Sequence, residues 1–239
     1  MLRTLIRSLL DFIYPPRCVV CGEWMDSWTV MCARCMEGIR RIGHPLCPTC
    51  GRPFQAGADD HQCGECAAEN PLFDRLRSAA FYDGPMRDAI LRYKFNGRTS
   101  LVKLLGDAAI EAFNTEFGDS EIDSIIPVPL HASRLRWRGF NQSLLLARHI
   151  ADRKKLWVDA YSLQRTRPTV PQVRLTPKQR VENVKGAFAV SRKQFVDGRN
   201  ILLVDDITTT GSTIHECSKA LRKAGAAKIY ALTVARAIE

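Results

Sequence analysis

The sequence predicts an α/β domain with a mainly parallel sheet flanked by helices, preceded by a small module organised around cysteines. Three observations carry this. Eight of the nine cysteines fall into four CxxC pairs before residue 67. From residue 71 onward, short apolar runs alternate with helical patterns, the order that builds parallel sheets from βαβ units. One apolar run, Ile201 to Val204, ends in paired aspartates and a Thr/Gly/Ser turn that opens a helix.

Residues 1–16 read as an amphipathic helix, because Leu2, Leu5, Ile6, Leu9, Leu10 and Ile13 recur at helical spacing. Arg3 and Arg7 interrupt the apolar core that a signal peptide needs, and no small-residue cleavage site follows, so an export signal is not expected. A stripe this short packs first on its own protein, with a membrane surface or a partner as the second option. Residues 17–70 hold the cysteine pairs and 71–239 the α/β domain, the texture changing near Asn70 and Pro71.

Each CxxC knuckle lets two thiolates reach one ion, and two knuckles complete the tetrahedral sulfur shell that Zn²⁺ favours. Ten residues separate Cys18/Cys21 from Cys32/Cys35, and twelve separate Cys47/Cys50 from Cys63/Cys66. Sequential pairing into two ribbons is the default, and an interleaved pairing stays open on spacing alone. His61 is the weaker, alternative ligand. Without an export signal disulfides are disfavoured. A thioredoxin-type redox site would need a βαβ setting that these Pro- and Gly-rich stretches lack. Two structural zinc ions are therefore favoured over redox or iron–sulfur chemistry, and a closed four-cysteine site is not catalytic.

In the α/β domain, Arg77 to Tyr82 reads as a strand, Pro85 to Phe95 as a helix opened by proline, and Leu101 to Phe113 as a second helix. Ile122 to Val128 is a short buried strand, Phe140 to Ala151 a helix, and Trp157 to Leu163 a strand. Ile201 to Val204 and Ile229 to Val234 are strands on either side of a helix from Gly211 to Ala224, in which Cys217 reads as a small buried hydrophobe. Ligands of such sheets bind at the carboxyl ends of the strands.

The composition is 46% hydrophobic with a net charge of +10. Between His131 and Asn200 sixteen Lys or Arg face only Asp152, Asp159, Glu182 and Asp197. That surplus suits an anionic partner such as nucleic acid, a polyphosphate or an acidic membrane surface, and equally a solvated basic face. No run reaches the roughly 20 apolar residues that cross a bilayer.

ILLVDDITTTGST, Ile201 to Thr213, is the strongest chemical motif. Thr209, Thr210, Gly211, Ser212 and Thr213, with Thr208 before them, would offer hydroxyls, backbone N–H groups and a positive helix end to a phosphate. Asp205 and Asp206, read as exposed, would accept hydrogen bonds from two neighbouring ribose hydroxyls. GxGxxG and GxxxxGK[ST] are both absent, so dinucleotide and P-loop explanations find no support.

This motif resembles the phosphoribosyl pyrophosphate (PRPP) signature of type I phosphoribosyltransferases. With CVVCG, MCARC, CPTCG and CGEC ahead of it, and with YKFNGR (Tyr93 to Arg98) and PVPLHASRLRWRGFNQS (Pro127 to Ser143), nearly the whole chain resembles the ComF family. That family includes the ComFC competence proteins and the GntX-type proteins. The resemblance implies a type I phosphoribosyltransferase-like sheet behind a double zinc ribbon, and PRPP, accompanied by Mg²⁺, as ligand. It implies that the loop after Val128 holds pyrophosphate at Pro129, Leu130 and His131, with Arg134, Arg136 and Arg138 following. Arg165 to Arg180, which carries Arg167, Arg174 and Lys178, resembles the mobile loop that closes over PRPP.

Read from the residues, an arginine-dense loop at a strand's carboxyl end neutralises a polyphosphate, and mobile basic loops also bind single-stranded nucleic acid. Both readings of Arg136, Arg138, Arg167, Lys178 and Arg180 stay open. The resemblance implies a cytoplasmic protein, or one peripheral at the inner membrane, that handles imported single-stranded DNA during natural transformation. A ComFA-type ATPase and DprA are then the expected partners. The alternative is a metabolic transferase that moves ribose 5-phosphate from Mg-PRPP to a nitrogen acceptor, a reaction for which the protein need supply no nucleophile.

Overall fold

The computed structural model describes residues 15–55, 57–95, 97–118, 120–170 and 175–238, so the expected N-terminal helix and Arg174 lie outside the described residues. Two short helices, α1 (Ala33–Glu37) and α2 (Gly64–Glu69), belong to the cysteine module. Then follow β1 (Arg75–Phe81), α3 (Gly84–Phe95), α4 (Leu101–Phe117), β2 (Ser124–Pro127), α5 (Ala132–Arg138), α6 (Gln142–Lys154) and β3 (Trp157–Val158). The chain continues through β4 (Leu163–Arg165), α7 (Pro177–Val184), β5 (Phe188–Val190), β6 (Asn200–Thr208), α8 (Ser212–Lys223) and β7 (Lys228–Arg236).

Five of these strands form one parallel sheet in the order β1-β7-β6-β2-β3. Both faces of β6 are covered, which is why it reads as a continuous apolar run. Its side chains alternate between two cores. Leu202 and Val204 pack with Ile90, Tyr93, Leu105, Leu146 and Ile150 from α3, α4 and α6, while Ile201 and Leu203 pack with Ile214 and Leu221 of α8. Each of the Leu, Ile and Val side chains among them contributes about 1.5–3 kcal/mol by leaving water.

The expected strand Trp157 to Leu163 is broken in two. Only Trp157 and Val158 pair with β2. Asp159 is buried and its Oδ1 accepts from the backbone N–H groups of Tyr161 and Ser162, both at 3.0 Å, forming a turn. Leu163–Arg165 is thereby redirected into an antiparallel pair with β5. Part of the expected mobile loop is ordered as α7, closed at its start by a capping box between Thr176 and Gln179.

The cysteine module lies against the sheet's β1 edge. Phe81 N donates to Arg40 O at 2.9 Å, Ile42 N to Ala79 O at 3.1 Å, and Leu76 N to Thr49 O at 2.7 Å. Gly51, at φ +67°, lets the second knuckle approach so closely that a Cβ there would stand 2.5 Å from Leu76 O. Arg236 of β7 donates to Cys50 O at 2.6 Å. Arg77 of β1 donates to Pro48 O at 3.1 Å and pairs with Glu116 of α4 in a buried salt bridge.

Candidate functional site

A cavity of about 750 Å³ opens at the carboxyl ends of the strands, lined by Asp205 through Thr208 at the end of β6, by Thr209 after it, and by residues that follow β1, β2 and β7, among them Tyr82, Leu130 and Ala237. Helices α3 and α5 supply further walls through Lys94, Phe95, Arg134, Trp137 and Arg138. The topology explains the place: neighbouring parallel strands whose connections diverge to opposite faces leave a crevice above their ends.

The two aspartates sit within β6, not beyond it, and both are buried, at 9% and 3% exposure, which corrects the expectation of exposed acids. Each is held by a group from a distant segment. Ser143 at the start of α6 donates to Asp205 Oδ1 at 2.8 Å, and Asp206 N donates to the same oxygen at 2.9 Å. Lys94 Nζ lies 2.9 Å from Asp206 Oδ1. Burial, and after it the charge of Asp206, pushes the Asp205 carboxyl up to about 7, against the pull of Lys94 and Ser143. Asp206 Oδ2 and Thr208 Oγ1 are buried with no hydrogen-bond partner among the described residues. Buried polar atoms without partners are rare, and here both belong to the strand end that forms the cavity floor.

Beyond β6, Thr209, Gly211, Ser212 and Thr213 line the cavity. Gly211, at φ +78°, takes the N-cap position of α8, and no side chain caps that helix. Thr210 Oγ1 accepts from Ser212 N at 3.4 Å, and the positive end of the α8 dipole stands at the cavity. Thr210 is tied to Ser212 through their hydroxyls.

The basic residues separate into two groups. Arg134, Arg138, Arg165 and Arg180 line the cavity. Burial, and behind it the nearby Arg134, lowers the pKa of both Arg138 and Arg165, with Asp205 among the opposing charges; the Nε of each has no hydrogen-bond partner among the described residues. Cations crowded this way are relieved by an anion. Arg136 is exposed and outside the lining, Lys178 is exposed on α7, and Arg167 is bound to Lys185 O at 2.7 Å.

The expected arginine-dense loop is a correction too: Arg134, Arg136 and Arg138 stand on α5, a two-turn helix. His131 does not line the cavity. Its ring caps α5 by accepting from Ser133 N at 3.3 Å, and Gly139 at φ +82° ends the helix. Leu130 does line it. Sequence reasoning missed the roles of Lys94 and Ser143, both of which lie inside motifs quoted for the resemblance. Cys217 is fully buried and its thiol is pushed well up, as a silent hydrophobe would be.

The eight remaining cysteines gather as Cys18/Cys21/Cys32/Cys35 and Cys47/Cys50/Cys63/Cys66, the sulfur atoms of each set lying within 4.8 Å of one another. Zn–S bonds of about 2.3 Å in a tetrahedron place sulfurs about 3.8 Å apart. Cys21–Cys32 and Cys50–Cys63 are both at 3.7 Å, so both sets fit zinc with sequential pairing. His61 is instead stacked on Phe54 at 3.8 Å. All four thiols of the second set are buried, whereas in the first Cys21 is exposed and Cys32 half-buried.

The model of the double zinc ribbon domain matches residues 9–67, and that of the phosphoribosyl transferase domain residues 142–239. Competence protein F of Haemophilus influenzae is 35% identical over 232 residues, covering 92% of this chain and 97% of its own. The DNA utilization protein YhgH of Escherichia coli K12 is 34% identical over 218 residues, covering 90% and 93%. Competence protein ComFC of Bacillus subtilis is 27% identical over 220 residues, covering 86% and 84%.

Proposed function

The chain belongs to the ComF family, and on that premise we propose that it binds PRPP in the cavity above β6 and handles single-stranded DNA taken up in natural transformation. The observation that carries the ligand assignment is the convergence on one cavity of two buried acids, polar atoms without partners among the described residues, and the N-terminal end of α8 with its hydroxyls. Asp205 and Asp206 would accept from the ribose hydroxyls, Thr209 to Thr213 would hold the 5-phosphate, and Arg134 and Arg138 would face pyrophosphate. Mg²⁺ fits as a companion of the ligand: hard cations take carboxylate and phosphate oxygens, and Asp206 Oδ2 has no hydrogen-bond partner among the described residues. That ion would neutralise pyrophosphate charge.

DNA handling is supported by the basic surplus between His131 and Asn200 and by relatives named for competence and DNA utilization. A ComFA-type ATPase and DprA as partners, and a cytoplasmic or membrane-peripheral location, rest on the family alone. Among the described residues no helix is long and apolar enough to cross a membrane.

Calorimetry with PRPP and Mg²⁺ tests the ligand. The Asp205→Asn/Asp206→Asn variant should lose PRPP binding while keeping its fold, and unchanged affinity would sink the ribose assignment. The cavity's extent beyond the cradle favours a second reading, transfer to a nitrogen acceptor. Pyrophosphate release above the uncatalysed rate, scanned across nucleobases, ammonia and single-stranded DNA, would establish it.

A further inference from the structure

The cavity has a second half that a sugar phosphate does not explain. Its outer wall is aromatic: Phe95 ends α3 and Trp137 stands on α5, and both line the cavity while remaining 54% and 70% exposed. Large apolar side chains held in water at a cavity mouth mark a surface that receives a ligand. The two rings meet edge to face, with centroids 6.2 Å apart and planes at 64°, so neither ring stacks flat on the other. The Arg138 guanidinium stands over Phe95 at 5.4 Å from its centroid. Among the described residues no guanidinium and no second ring is stacked on the Trp137 indole.

We propose that Trp137, with Phe95 and Arg138, is a stacking subsite for an unpaired nucleobase at the mouth of the cavity. The inference builds on the sugar-phosphate reading of the floor and names what lies beside it. Aromatic faces flanked by arginine receive bases of any identity, since every base has a π-face, and the flanking cations take the adjoining phosphates. Arg136 is exposed on the same short helix as Trp137. That placement suits a base carried on a strand with further phosphates, and a free base shares the same stacking chemistry.

The test uses the full chain in a Trp24→Phe/Trp28→Phe/Trp157→Phe background, so that Trp137 alone reports by fluorescence. Oligo(dT) should quench it, and an abasic strand of equal length should bind by charge without quenching. Trp137→Ala should weaken oligo(dT) binding by roughly 5- to 150-fold, the range for loss of one base stack. Trp137→Phe should restore most of it, and the abasic strand should be unaffected by either change. Quenching by free adenine or thymine but not by oligo(dT) would keep the subsite and assign it to a free base. Equal binding of base-bearing and abasic strands, with no quenching by strand or free base, overturns the proposal. Loss of PRPP binding in Asp205→Asn/Asp206→Asn with quenching intact separates this subsite from the ribose reading, and quenching lost with PRPP binding intact defeats the subsite alone.

Discussion

Asp205 is a carboxyl group folded into a place that disfavours its charge. Its pKa stands near 7 in the fold, against about 3.9 for a free aspartate. The folded protein therefore holds a proton that the unfolded chain has released, and stability falls as pH rises from about 4 to about 7, levelling above that. Asp205→Asn should stabilise the protein at pH 8, on the order of 1–4 kcal/mol, with the gain vanishing toward pH 4. Urea unfolding at both pH values reads this. Affinity of the unaltered protein for PRPP should rise between pH 6 and pH 8, because only the ionised carboxylate accepts from both ribose hydroxyls.

Lys94 makes the complementary case. Removing it strands a carboxylate that is 4% exposed, so Lys94→Ala should destabilise by about 3–5 kcal/mol, and Asp206→Asn in the same chain should recover much of that loss. The acids and the hydroxyl run were legible because they are consecutive in sequence. Lys94 and Ser143 were not, because what gives each its role is a contact across 112 and 62 residues that no local pattern encodes.

Among elements, the readable ones are those that bury an apolar stripe: β6, β7, α4 and α6 all lie close to where periodicity puts them. α5 buries no apolar side chain, so periodicity is silent there; the helix is held by the His131 cap and by Gly139 in the left-handed region. The break at Asp159 is a side-chain-to-backbone turn inside an otherwise strand-like run. α7 did carry a local signal, Thr176 followed by proline and then Gln179, and the arginines around it drew the reading toward a loop. Thr176→Ala should raise hydrogen exchange across α7 and cost about 1 kcal/mol of local stability, with the melting of the parallel sheet barely moved.

At the scale of the molecule, the two zinc ribbons are unequal. The first set presents Cys21 to solvent, and the second is buried against β1 and β7. A chelator should therefore draw out one equivalent of zinc quickly and a second only at the rate of unfolding, a two-phase release that a chromogenic zinc indicator would follow. Gly51→Ala should lower Tm by several degrees through a clash with the Leu76 carbonyl, at a position outside the cavity lining that supplies no sulfur to the second cysteine set.

The backbone hydrogen bonds that join β1 to Arg40, Ile42 and Thr49 change what counts as a separable piece of this protein. Residue 70 divides two sequence textures, but β1 without its cysteine-rich neighbour would be a naked sheet edge, the kind that recruits other copies into aggregates. A gene fragment that begins at residue 71 is thus a poor unit for expression or for transplantation into another protein. Depleting cellular zinc should also affect a region that holds neither cysteine set, because the ribbons serve as a permanent chaperone for the strand they cover.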